Sequence, residues 1–347
     1  MDAPADEDGL LRGFLRYARV RDLRILTPIG VVEAYARYQR LRARGEHVLP
    51  EAEPFDPVFS RWLGRAVLRT AGRYFRMRVE GLEHVPANGP ALIVANHNGA
   101  GLPMDSLLTF AALVERLGAA RAPRFLVHDL VASDPVISRY ASRMGALRAS
   151  PDAAGRALDA GHLVVVYPGS DLDAYRPFRA RHRIRLGGRR GFARLALAAG
   201  VPIVPLVSVG THEQLVVLDD GRWLARWVGA DRRFRLKALP ISLCLPWGLA
   251  VGPFPYLPLP AQTTLAFGPP IGPSRPGAPE ADRARVDALY ARTERAMQDR
   301  MSRLARGRRP LLGTPPRSVV TPPADPPRPR RRRTVEGGGS PRPRGRG

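Results

Sequence analysis

"ALIVANHNGAGLPMDSLL", residues 91–108, decides how this chain is read. Ala91 to Ala95 is an apolar run of strand length, Asn96-His97 follows, and a loop with Gly99 and Gly101 opens next. Pro103-Met104-Asp105 then begins an apolar helix. An unbroken apolar run of this kind fits a buried strand. A histidine just past the carboxyl end of such a strand stands where open α/β sheets place their sites. To act as a general base it needs a pKa near neutrality and one fixed tautomer. A carboxylate bonded to its second ring nitrogen supplies both. Asp105, at the start of the next helix, is placed to curl back toward it. The competing reading is that Asp105 complements the helix N-terminus and His97 is a polar loop residue.

Working outward, the sequence alternates. "RMRVEGLEHVP" (76–86), "RFLVHDL" (124–130), "HLVVVYPG" (162–169) and "VPIVPLVSVG" (201–210) read as strands. Asp105 to Leu117, Asp152 to Ala160 and "GFARLALAAG" (191–200) read as helices. That rhythm predicts α/β layering with a mostly parallel sheet. Residues 1 to about 50 are helix-prone, with Val31, Val32, Ala34, Tyr35 and Tyr38 at rough helical spacing. After the break "LPEAEPFDP" a second helix starts near Val58, carrying the stripe Phe59, Trp62, Leu63, Val67 and Leu68. The stripe fits a core face; flanked by Arg61, Arg65 and Arg69, it fits a membrane surface equally well. Residues 240–267 are nearly free of charge, but their repeated prolines exclude a simple spanning helix. They are expected as an extended apolar segment, packed on the domain or dipping into a membrane surface. Residues 280–307 read as a closing helix with Val286, Leu289, Tyr290, Met297, Met301 and Leu304 on its apolar face. The expected organisation is an N-terminal helical segment (1–54), one α/β domain (55–305) and a disordered Arg/Pro-rich tail (306–347).

The formal charge of this 347-residue chain is +24, and Lys237 is its one lysine. From Arg303 onward 13 arginines face Asp325 and Glu336, which leaves the body at +13. A basic body suits an anionic partner: phospholipid headgroups, nucleic acid or a phosphorylated substrate. Cys244 is the single cysteine, so no internal disulfide forms and a reducing compartment is expected. The acidic start "MDAPADEDGLLRGF" does not read as a secretory signal.

A second signal lies in "VVVYPGSDLDAYRPFRARHRIRLGGRRGF", residues 164–192. A buried strand ends in Tyr167-Pro168-Gly169-Ser170, an arginine-dense run follows, and Gly187-Gly188-Arg189-Arg190-Gly191 leads into a helix. Free N–H groups at a glycine-rich helix start, with guanidinium groups beside them, suit a phosphate. Alternation along "RARHRIR" puts Arg179, Arg181, Arg183 and Arg185 on one side of an extended segment, with Ile184 on the other. Arg189, Arg190 and one or two of the row, with Arg176 before it, are the expected phosphate contacts. A solvated basic face is the plainer alternative. No nucleophile elbow is present, since Ser170 sits in "PGSD". The histidines at 84, 97, 128, 162, 182 and 212 show no metal-ligand spacing, and no metal is expected. The arginine-rich stretches lack the interleaved aromatics of nucleic-acid motifs, so nucleic acid is not an expected partner.

"RVEGLEHVPANGPALIVANHNG" resembles the opening of the glycerolipid acyltransferase domain of glycerol-3-phosphate and lysophosphatidate acyltransferases. In that family a strand ends in Asn-His with an acid after it, in an H-x4-D block. A second block, usually Phe-Pro-Glu-Gly, closes a later strand, and an apolar strand bracketed by prolines completes the set. Tyr167-Pro168-Gly169-Ser170 and Val201-Pro202-Ile203-Val204-Pro205 hold the last two places, so the likeness spans roughly residues 76–275. Two departures stand out. His97 and Asp105 are eight positions apart, and Gly169 replaces the glutamate associated with holding a glycerol-phosphate acceptor. Such changes resemble the branch that handles mono- and diacylglycerol-type acceptors. The resemblance implies a glycerol-3-phosphate acyltransferase-like sheet flanked by helices. It implies transfer of a fatty acyl group from acyl-CoA or acyl carrier protein to a glycerolipid hydroxyl, with no other cofactor. His97 would be the base and Asp105 its partner. Asn96, Tyr167, Pro168, Gly169, Ser170, Arg176, Arg179, Arg189 and Arg190 would bind substrate. An anionic membrane surface, met peripherally from the cytoplasmic side, completes the expected partners. The alternative is a non-catalytic basic protein that binds membrane or nucleic acid.

Overall fold

Asp56-Pro57, Asp134-Pro135 and Ser150-Pro151 start helices by one device. The side-chain oxygen accepts from N–H groups two or three residues on, and proline takes a first-turn position that needs no donor. The computed structural model describes residues 27–44, 55–98, 103–128, 134–233, 238–252, 256–272 and 283–314, with Gly13, Arg16, Tyr17, Asp22 and Gly345. The chain divides into two units, Met1–Thr314 and Pro315–Gly347, and every named helix and strand lies in the first.

The helices are α1 (Pro28–Ala43), α2 (Pro57–Val67), α3 (Met104–Leu117), α4 (Pro135–Arg143), α5 (Pro151–Asp159), α6 (Ser170–Ala174), α7 (Gly191–Ala198), α8 (Arg222–Trp227), α9 (Ala230–Arg233) and α10 (Arg283–Ala305). The strands are β1 (Arg78–Glu80), β2 (Ala91–Ala95), β3 (Arg124–Val127), β4 (Leu147–Arg148), β5 (Leu163–Val166), β6 (Ile203–Val209), β7 (Val216–Asp219), β8 (Ile241–Cys244), β9 (Gly248–Val251) and β10 (Thr264–Phe267). A 7-stranded sheet runs in the order β1-β10-β6-β2-β5-β3-β4. Strands β6, β2, β5, β3 and β4 are mutually parallel, and β10 is antiparallel to β6. The expected α/β class with a mostly parallel sheet is therefore what forms.

β2 is buried along its whole length because helices cover both faces of the sheet. Ile93 pairs with Val165 and Val204 and packs in one cluster with α3. Leu92 and Val94 face the other cluster, with α5, α7 and α10. Pro205 sits inside β6 without breaking it. Its carbonyl, and so its missing N–H, faces away from β2, where the Gly268 N–H donates to that carbonyl at 2.7 Å.

Three expectations change. The α2 stripe belongs to the core: Phe59 and Val67 are buried, and Arg61 and Arg65 point to solvent. Residues 240–267 are not a plain extended segment. They fold back as the β8–β9 hairpin, which joins β7 in a 3-stranded antiparallel sheet, and then supply the fully buried β10. Residues 253–255 lie outside the described residues. The tail does not begin at 306, because Arg308 is tied into the body through a buried ion pair with Glu213 and Leu311 N–H donates to the same carboxylate. Residues 315–347, Gly345 apart, and most of the N-terminal segment before Thr27 lie outside the described residues. Among the described residues no helix is long and apolar enough to cross a membrane.

Candidate active site

The site forms where the chain changes direction. After β2 the chain runs through α3 to β3, beyond β5; after β5 it returns through α6 and α7 to β6, on the far side of β2. The carboxyl ends of β2, β5 and β6 therefore meet at a topological switch point, where open α/β sheets place their sites. His97 stands there, two residues past β2.

Asp105 lies in the first turn of α3 and is 1% exposed, against 23% for His97. Its Oδ2 sits 2.9 Å from Nδ1 of His97 and also accepts the Asn98 N–H at 2.9 Å. Its Oδ1 accepts the Ser106 N–H at 2.8 Å. Both readings of Asp105 thus hold: one oxygen satisfies the helix start, and the other fixes the imidazole. The intervening loop, 99–102, lies outside the described residues. With Nδ1 bound to a carboxylate, Nε2 is left without a protein partner among the described residues. Burial opposes protonation of the ring, but Asp105, by charge and hydrogen bond, and Asp173, by charge, outweigh it and raise the pKa above 6.5. The ring of Tyr167 packs beside the imidazole, centroids 4.7 Å apart. Burial, with Asp105 nearby, pushes the Tyr167 hydroxyl well above its ordinary value.

Asp173 was not legible as a site residue. From α6 its Oδ2 accepts the His97 backbone N–H at 2.6 Å, while Oδ1 holds Arg176 at 2.6 Å. Neither side chain is exposed to solvent. The only sequence signal was the Asp-x-x-Arg spacing, which puts the two on one helix face. Gly169 explains why the glutamate of the second block has no place here. A Cβ on Gly169 would lie 2.3 Å from the Arg185 carbonyl oxygen and 2.4 Å from Cβ of Asp173. Asp173 fills the space next to Gly169 from one turn further on. His212 was read as a scattered histidine, yet it is buried near this site. Burial, then the charges of Arg176 and His97, holds its imidazole well below the usual value, so it stands neutral.

Several of the expected substrate contacts have partners within the protein. Asn96 is fully buried and turned into the sheet, where it accepts the Ser208 N–H at 2.8 Å and donates to the Ser208 carbonyl at 3.0 Å. Its amide continues the β2–β6 ladder one residue beyond the strand. Arg176 is buried and committed to Asp173. Arg189 donates to the carbonyls of Pro168 (3.0 Å) and Gly169 (3.1 Å) and to Asp171 (2.9 Å), so it braces the turn. Arg190 pairs with Asp287 of α10 and lies over Tyr290. The row is not extended either: residues 178–180 make a 3₁₀ turn, and Arg181 folds over Phe178 at 4.3 Å. Arg179 remains exposed and free of protein partners among the described residues. Ser170 adopts a left-handed φ of 47° at the start of α6, directly after the turn that Arg189 braces.

A family model described as "Acyltransferase" matches residues 76–209, from the approach to β1 through the end of β6. A Mycobacterium tuberculosis protein, "Uncharacterized protein Rv0502", is 34% identical over 284 residues, covering 81% of this chain and 76% of the relative. The human "DGAT1/2-independent enzyme synthesizing storage lipids" is 29% identical over 204 residues, covering 58% of this chain and 59% of the relative. The crystal structure of the 1-acyl-sn-glycerophosphate acyltransferase PlsC of Thermotoga maritima aligns with 85% of this chain and 98% of that chain, with a TM-score of 0.41 and 16% identity. That likeness is too loose to add to the fold described above. With its blocks in order, past the ends of β2 and β5 and at the start of β6, this chain belongs to the glycerolipid acyltransferase family.

Proposed function

We propose that the protein moves a fatty acyl group from a thioester of coenzyme A or acyl carrier protein to the hydroxyl of a glycerolipid, with a mono- or diacylglycerol-type acceptor. The observation that carries this reading is the His97–Asp105 pair, 2.9 Å apart just past the carboxyl end of β2. Nε2 of His97 takes the proton of the acceptor hydroxyl as its oxygen attacks the thioester carbonyl. The C–S bond then breaks, and the leaving thiolate recovers the proton from the imidazolium. Asp105 fixes the tautomer and stabilises the imidazolium. A non-catalytic basic protein has no use for such a pair.

The neutral acceptor rests on three supports. Gly169 stands where the family's glutamate would be, Arg176, Arg189 and Arg190 are engaged within the protein, and the human relative is named for storage lipids. The basic body and the lone, unpaired Cys244 support a peripheral position on the cytoplasmic face of a membrane. The test is to give purified protein a radiolabelled acyl-CoA or acyl carrier protein with glycerol 3-phosphate, lysophosphatidate, monoacylglycerol or diacylglycerol. Product is expected with the neutral acceptors, falling by about 10²–10⁴-fold in His97→Ala. Product only with the phosphorylated acceptors would overturn the acceptor assignment. Full turnover by a folded His97→Ala protein would overturn the mechanism.

A further inference from the structure

The β7–β9 sheet leaves the carboxyl end of β6, the same end of the main sheet that carries His97. Its inner face is buried: Leu215 and Val217 pack with Tyr256 against Tyr175, the residue that follows α6. Burial, and then the charge of Asp105, raises the Tyr256 hydroxyl pKa. The outer face is apolar and open. Leu218, Leu243, Leu249 and Val251 are 43%, 46%, 64% and 45% exposed, and Leu243 pairs with Leu249 across the hairpin. α8 adds Trp223 and Trp227 at 55% and 80%. Gly221 fixes that helix beside the sheet: its φ is 62°, and a Cβ there would sit 1.7 Å from the Leu239 carbonyl oxygen. Exposed apolar side chains gathered on one small sheet and the helix that precedes β8 mark an interaction site.

Charge selects the partner. Arg226 and Arg232 are exposed near Trp227 and have no acidic partner among the described residues. The body as a whole is strongly basic. An anionic surface complements that charge, whereas a second copy of the same basic chain repels it. Tryptophan is also the side chain that settles at the headgroup level of a bilayer, ring in the apolar boundary and N–H toward water. We propose that the outer face of the β7–β9 sheet, with α8, is the surface that seats the protein on an anionic bilayer, so that the site holding His97 opens beside the lipid that supplies its acceptor. This rests on the acyltransferase reading above. It takes the membrane contact away from the α2 stripe, which is core, and keeps it on the hairpin of residues 240–267, one of the two places the sequence offered, with β7 and α8 added.

The test uses the full chain and phosphatidylcholine vesicles containing phosphatidylglycerol, some with brominated acyl chains. Vesicle-bound protein is expected to show tryptophan fluorescence quenched by the bromines. Leu243→Glu with Leu249→Glu should weaken vesicle affinity by about tenfold or more while circular dichroism stays native. Should that double variant misfold, Trp227→Ala, at a largely exposed position, should lower affinity and reduce quenching. Binding without quenching, or unchanged affinity in the folded double variant, would overturn the proposal. So would a concentration-dependent dimer that the variant dissolves while vesicle binding persists, since the face would then join two copies. His97→Ala should bind and be quenched like the parent. Failure of acyl transfer therefore refutes the functional reading without deciding this one.

Discussion

Asp105 serves two neighbours at once, and that division shows how little freedom the site has. One oxygen accepts the Ser106 N–H in the first turn of α3; the other holds both the His97 ring and the Asn98 N–H. Asp173 then fixes the His97 backbone from the opposite side, and Arg176 fixes Asp173. Removing Arg176 leaves a buried carboxylate without its cation. We predict that Arg176→Met lowers unfolding free energy by about 3–5 kcal/mol, read from a denaturant midpoint. An unchanged midpoint would mean that the pair does not hold the turn. Gly169 gives a second test. Restoring the family's residue with Gly169→Glu should reduce both stability and activity and should not create use of glycerol 3-phosphate. The obstacle is the Arg185 backbone, which cannot swing aside as a side chain could. A stable variant that gains that acceptor would contradict the packing argument.

The elements behind the site are conventional, and most were legible in the sequence. β2, β5 and β6 announced themselves as apolar runs ending in Asn-His, Tyr-Pro-Gly and a proline-bracketed strand. Asp-Pro and Ser-Pro start α2, α4 and α5, although no helix was expected over α4. We predict that Asp134→Ala, which deletes the cap of α4, costs about 0.5–2 kcal/mol. Phe59→Ala, at a side chain 1% exposed between α2 and its neighbours, should cost about 3–5 kcal/mol. A thermal shift for Phe59→Ala no larger than that for the cap would place the α2 stripe outside the core. Residues 240–267 were misread because their composition is equally apolar in the exposed hairpin and in the buried β10, so no periodicity separates them. The partners of the arginines were hidden for a different reason. Local sequence places Arg189 and Arg190 at a helix start, but the carbonyls and acids that occupy them come from α6, its preceding turn and α10. Asn96 was read as a pocket residue because nothing in its neighbourhood reveals the Ser208 backbone beside it.

At the scale of the molecule, the His97–Asp105 pair, the second-block turn and the small apolar sheet gather at one end of a single parallel-rich sheet. The ordered body reaches past α10, because Arg308 neutralises Glu213 in a buried pair at 2.8 Å. Removal of residues 315–347 should therefore leave the melting temperature of the body unchanged, whereas removal from 306 onward should lower it by stranding that carboxylate. Equal melting temperatures would return the boundary to 306. The central claim is that His97 works as a base tuned by Asp105, and the pH dependence of kcat/KM tests it most directly. A base must be unprotonated, so the rate should fall as pH drops through the raised His97 pKa, placing an acid limb above 6.5 in the parent protein. In Asp105→Asn the charge and hydrogen bond that raise it are lost while burial remains, so the limb should move to lower pH as the rate falls. A rate that is flat from about pH 5 to pH 8, or a limb that stays in place in Asp105→Asn, would contradict the account.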